Sequence, residues 1–208
     1  MTTRTAPWPE QENPSTAALQ DGEPPSWAVS ELPEPYREVL TRIAELRAEA
    51  RRYEDVTGIL WRVGQPLADG IRGVFSALQF DTVLHESDSG WQLHVQIDPQ
   101  RRLLVQVAGA ADAVDRKSPA ITEMMRLLQE TATDHDRLVL AANAWCDTPL
   151  DKRQEPLTPD ALRVVHRLGA NVVSSATLFG MWKYSFSDLE AARKTVLKLH
   201  SQDGGIFK

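Results

Sequence analysis

The sequence predicts an α/β fold, a three-layer sandwich with a mixed central sheet, preceded by an amphipathic helix and an acidic N-terminal tail. Apolar residues recur at helical spacing from Tyr36 to Tyr53 and in several later segments, whereas short alternating or continuous apolar runs between those segments mark strands. Their order is helix, three strands, helix, strand, helix, strand, helices. Such a mixture is satisfied by a mixed sheet covered on both faces.

Residues 1–34 form the tail. Seven of the 13 prolines lie in the first 35 residues, and Glu10, Glu12, Asp21, Glu23, Glu31 and Glu34 face a single Arg4, which gives −5 of the total −6. A segment this polar cannot bury enough surface to offset its ordering entropy, so disorder is expected, with Trp8 and Trp27 as short anchors or plain linker residues. The remaining 173 residues carry −1, which fits neither a strongly basic nucleic-acid binder nor a body that repels DNA.

Residues 35–56 form a helical arm. Tyr36, Val39, Ile43, Leu46, Ala50 and Tyr53 alternate in threes and fours along one seam. The seam spans about two and a half heptads, so the arm is expected either to pair with a second copy or to fold back on its own domain. Glu45, Arg47, Glu49, Arg51 and Arg52 lie off the seam and are expected in solvent.

Residues 57–208 form the main domain. Pro66 to Gln79 reads as a helix, and Gly70 and Gly73 on one side of it point to close packing there. Phe80–His85, Trp91–Ile97 and Leu103–Val107 read as strands, the last two joined by the turn Asp98-Pro99-Gln100. Ser118-Pro119 opens a helix through Ile121, Met124, Met125 and Leu128. Arg137–Ala142 is a buried strand, and Thr158-Pro159 caps a helix through Leu162, Val165 and Leu168 that stops at Gly169. Asn171–Ser174 is a further strand, followed by helices at Leu178–Trp182 and Ser187–His200, the second opened by a Ser187-x-x-Glu190 capping box.

Several motifs stand in this order: Leu60-Trp-Arg-Val-Gly-Gln-Pro-Leu67, Ala77-Leu-Gln-Phe-Asp81, Leu103-Leu-Val-Gln-Val-Ala-Gly109, Asn143-Ala-Trp-Cys-Asp-Thr-Pro149 and Leu178-Phe179. Over roughly residues 58–183 the chain resembles the restriction-endonuclease-like, or PD-(D/E)XK, superfamily, and more closely a bacterial branch with an N-terminal helical arm. Active members use an acid on the second strand, a Glu-x-Lys on the third and often a glutamate in the first helix. The carboxylates hold a divalent cation that activates water, and the lysine supports the developing charge. The resemblance places Ala68, Gln92, Gln106 and Ala108 at these positions, none of them charged. It thus implies a degenerate site with no catalytic residue and no metal. Glu86 or Asp88 is the alternative acid for the second strand, and Asp98, Asp112 and Asp115 are the acids from which a migrated site could be built.

Other chemistry is less well supported. His85 and His94 lack an evident third metal ligand. Cys146 with His166 as base is a second candidate, against a structural turn over Asn143–Asp147. With one cysteine there is no intramolecular disulfide. No apolar run is long enough to span a membrane and no signal-peptide pattern opens the chain, so no membrane partner and a cytoplasmic location are expected. The expected function is a catalytically inactive nuclease-like domain acting as a protein-interaction or scaffold module, with self-association through 36–53. The alternative is a nucleic-acid binder or a divergent nuclease using Mg²⁺ or Mn²⁺, with Arg101, Arg102, Arg116, Lys117, Lys152 and Arg153 as phosphate contacts.

Overall fold

The computed structural model describes Trp27, residues 31–87 and residues 90–207. The expected disorder over residues 1–26 and 28–30, Trp8 within it, and the candidate acid Asp88 fall outside the described residues. Contacts divide the chain into two compact units, Met1–Ala48 and Glu49–Lys208.

The helix α1, Glu34–Thr57, runs through the boundary between them. In the first unit its seam residues Tyr36, Val39, Ile43 and Leu46 are 48, 52, 38 and 51% exposed. In the second unit Ala50 is also exposed, whereas the Tyr53 ring packs against Trp182 and Phe186, each at a centroid distance of 6.0 Å.

After a 3₁₀ turn at Gly58–Leu60, the second unit continues with α2 (Gly64–Ala77), β1 (Asp81–Ser87), β2 (Gly90–Gln96) and β3 (Arg102–Gly109). Next come α3 (Pro119–Glu130), β4 (Arg137–Asn143), α4 (Pro159–Arg167) and β5 (Asn171–Ser174). The last elements are α5 (Ser175–Ser185), α6 (Leu189–Ser201) and β6 (Gly205–Phe207). The strands form one sheet in sequence order, antiparallel from β1 to β3 and parallel from β3 to β6. The parallel steps from β3 to β6 are each bridged by helices, as such crossovers require.

Strand alternation sends one set of side chains to each face. Leu93, Val95, Leu103, Val105, Val107, Val139 and Ala141 join Leu67, Ile71 and Phe75 of α2 and the inner sides of α5 and α6. On the opposite face Leu104, Ala108, Leu138, Leu140 and Ala142 meet α3 and α4. The glycines of α2 mark close approaches of the chain to itself. A Cβ on Gly70 would stand 2.6 Å from Ile59 Cγ2 and 2.8 Å from the Asp55 carbonyl, and one on Gly73 would stand 3.0 Å from Val56 Cγ2.

Four local expectations change. The buried stripe of α3 is Ala120, Ile121, Glu123, Met124 and Leu127, which leaves Met125 and Leu128 exposed. Ser118 precedes α3 without a side-chain capping bond, although Pro119 occupies the first turn as expected. At α6 the cap is Asp188, whose Oδ1 accepts the Ala191 N–H at 2.8 Å, so Ser187 does not open a capping box. The strand β6 has no counterpart in the sequence reading, being only three residues long and entered through Gly204 and Gly205 at φ 51° and 120°.

Candidate functional site

Gln92 of β2 and Gln106 of β3 are direct partners across the antiparallel ladder. They are 5 and 0% exposed, and strand parity puts both on the α3 face with Ala108. Gln92 donates through Nε2 to Glu123 Oε1, a buried carboxylate of α3. Gln106 makes a long bond from Nε2 to the Val107 carbonyl (3.4 Å), and its Oε1 has no hydrogen-bond partner among the described residues. Beside this pair lies a pocket of about 230 Å³ lined by Gly90, Trp91, Ala108, Gly109, Ser118 and Ala120 among others.

Glu123 is the residue the sequence reading missed. Arg126 grips its carboxylate through Nε (3.1 Å) and Nη2. Arg126 first, with Ser87 and Gln92 adding hydrogen bonds, holds the carboxyl below the usual glutamate range against the opposing effect of burial. Glu123 is therefore an ionised group whose charge is already matched by Arg126. Its signal in the sequence was a charged residue on an apolar helical stripe with an arginine three residues on, an i,i+3 pair.

Further along the same face, His94 lies 4.3 Å from His85 between ring centroids, and its buried Nε2 has no partner among the described residues. Burial, then the neighbouring His85 and Arg102, lower its pKa to about 4, so it is neutral at pH 7. Arg102, expected to contact phosphate, instead makes a two-pronged bond with Asp136, Nε–Oδ1 2.9 Å and Nη2–Oδ2 2.6 Å. Burial pushes the Asp136 carboxyl up, but bonds from Arg102 and from Thr133 outweigh it and leave it below the ordinary aspartate range. The Asp136 side chain is fully buried.

At the carboxyl end of β4, Asn143 ties distant segments together. Its Nδ2 donates to the Arg62 carbonyl (2.8 Å), and its Oδ1 accepts from Arg153 Nη1 (2.9 Å) and Ser175 Oγ (2.7 Å). Arg153 also donates to the carbonyls of Thr148 and Leu60. Arg153, expected at a phosphate, is thus a bracket within the fold. The Cys146 thiol is pushed up by burial and by Asp147, the reverse of what a nucleophile requires. His166 sits exposed in a separate cleft on α4 with Leu162, Arg163 and Arg167, so Cys146 and His166 are not brought together. Residues 144–147, just past β4, form a turn with Trp145 at φ 59°.

The remaining candidates scatter. Ala68 lies in the core of the opposite face, with α2. Glu86 pairs with Trp91, so its parity is opposite to that of Gln92 and it points away from Gln106. Asp98 accepts the backbone N–H groups of Gln100 and Arg101 and pairs with the Arg101 side chain at 2.6 Å, and Asp115 accepts the Lys117 N–H. Asp112 is exposed. Arg101 and Arg102 stand at the start of β3, whereas Arg116, Lys117, Lys152 and Arg153 follow the far ends of β3 and β4, about 25 Å away at ~3.3 Å per residue. Among the described residues, no three His, Cys, Asp or Glu side chains are placed to share a metal ion. A larger cleft of about 920 Å³ lies where the end of α1 meets α2 and α5, with an aromatic wall of Tyr53, Trp182 and Phe186. Two arginines in it are already paired, Arg62 with Asp55 (3.2 Å) and Arg72 with Asp69 (2.8 Å).

An α/β domain with a six-stranded mixed sheet and a sealed polar pair on one face is the class this arrangement defines. No family model, no curated protein and no solved structure matches the chain.

Proposed function

We propose that residues 57–208 are a restriction-endonuclease-like domain that no longer cleaves phosphodiesters and serves as a protein-interaction or scaffold module, with the arm at 36–53 as its contact surface. One observation carries the reading. The positions assigned to the catalytic second and third strands, Gln92 and Gln106, meet as a single register pair on one face of the sheet. An active member would set two ionised carboxylates there, but two amides offer only neutral oxygens to a divalent cation. Glu123 adds one charge, already matched by Arg126.

Incubation with DNA and RNA in Mg²⁺ or Mn²⁺ tests this, and both substrates are expected intact. Metal-dependent cleavage that disappears in Glu123→Gln or Asp115→Asn would overturn it.

A nucleic-acid-binding reading draws on one observation. The Val114–Leu157 bridge sets the loop carrying Arg116 and Lys117 beside the segment that follows Lys152. Uncleaved DNA held with a steep inverse salt dependence, and released by charge-removing changes at these three residues, would favour that reading over the scaffold.

A further inference from the structure

We infer that the occupant of the exposed α1 seam is a second copy of this chain, packed antiparallel to the first. The inference rests on the arm being a protein-contact surface, and the flanking charges supply the partner and its direction.

With Tyr36, Ile43 and Ala50 at the first apolar position of each heptad and Val39, Leu46 and Tyr53 at the second, the seam is bordered by Arg42 and Glu49 on one side and by Leu40, Arg47 and Glu54 on the other. A parallel pair sets each residue of the first border against the second border one heptad on. Arg42 then meets Arg47 and Glu49 meets Glu54, so all four flanking contacts, counted over both copies, are between like charges. An antiparallel pair brings the first border of one copy against the first border of the other. The layers become Val39 with Ala50 and Ile43 with Leu46, each repeated by symmetry, with Tyr36 at either end beside a Tyr53 whose ring is already packed on Trp182 and Phe186, and Arg42 of either copy faces Glu49 of the other. On the second border Leu40 meets the apolar stem of Arg47, which can cover it while its head stays in water.

The helix is free to make this contact in its first unit. Tyr36, Val39 and Leu46 are each close to half exposed, and among the described residues Arg42 is paired with Glu45 at 3.9 Å between two well-exposed side chains. The small Ala50 opposite Val39 lets the axes approach near the ends of the contact, whereas Ile43 and Leu46 fill its centre. A contact of this length is weak, so the pair is a reversible dimer rather than an obligate one.

Sedimentation of the full chain over a concentration series, with charge variants and cysteine pairing, tests the inference. The wild type should show a monomer–dimer equilibrium. Arg42→Glu and Glu49→Arg should each weaken it by roughly tenfold, and the two together should restore it, because each single change turns two attractive flanking contacts repulsive. A parallel dimer would show the reverse sign, each single change strengthening it. In a Cys146→Ser background, Val39→Cys mixed with Ala50→Cys should give the crossed disulfide in preference to either self-pair. A chain that stays monomeric throughout, single changes that tighten the dimer, or dominant self-paired Val39→Cys disulfides would each overturn the inference. None of these results bears on whether the domain cuts nucleic acid, so the cleavage assay stands apart from them.

Discussion

The two faces of the sheet are built on different terms. Under α2, α5 and α6 the β2 and β3 side chains are Leu93, Val95, Leu103, Val105 and Val107, an apolar set. Under α3 the same two strands set Gln92, His94 and Gln106 among Leu104 and Ala108, with the Arg102–Asp136 pair at the β3 entrance. The contrast is local, because β4 and β5 on that second face return to Leu138, Leu140, Ala142 and Val172. Burying polar groups without full partners costs free energy, so Gln92, His94 and Gln106 contribute less to stability than the apolar packing on either side of the sheet.

The largest test of this asymmetry is on the apolar face. Phe75 is fully buried there, and Phe75→Ala should cost about 3–5 kcal/mol in urea unfolding. A loss under 1 kcal/mol would mean that this packing contributes little. Next comes Asp136→Ala, which strands Arg102 and two Thr133 donors and should cost about 2 kcal/mol at neutral pH, since the arginine retains some access to water. Because the folded-state pKa of Asp136 lies below its unfolded value, its contribution is present above the ordinary aspartate range and is lost as pH falls through the folded pKa. Wild type and variant should therefore converge in acid, and a constant gap down to the lowest pH would refute the charge-based account. The smallest effect carries the most information about function. Gln106→Met removes a buried oxygen with no partner among the described residues and should leave stability unchanged or raise it by about 1 kcal/mol. A marked loss would show that the amide makes a bond essential to the fold.

Much of the architecture was legible in the sequence because period and punctuation act locally. The alternation in Trp91–Ile97, the Asp98-Pro99 turn and the Thr158-Pro159 start all became elements within a residue or two, and the glycine pair in α2 did mark a close approach. What escaped depended on distant contacts. The three-residue β6 is a strand only because β5 offers an edge to it. Whether Leu127 or Leu128 turned inward on α3 was decided by its docking on the sheet, as was the burial of Glu123. Arg102 and Arg153 looked like surface cations for the same reason, since Asp136 lies 34 residues and Asn143 ten residues away from their respective partners. Gln92 and Gln106 were named from the resemblance, but that they are register partners on one face, and that Ala68 belongs to the opposite core, required the fold.

The glycines of α2 also decide where this chain can vary. On an exposed helix, replacing glycine by alanine gains about 1 kcal/mol of propensity. At Gly70 the added methyl would press on the Asp55 backbone, which no rotamer change can move aside, and the sign of that exchange is reversed. The position is closed to even the smallest side chain, whereas the Asp69 and Arg72 side chains next to it on the same helix are partly exposed and pair with each other. Tolerance to substitution thus changes from one residue to the next along a single turn.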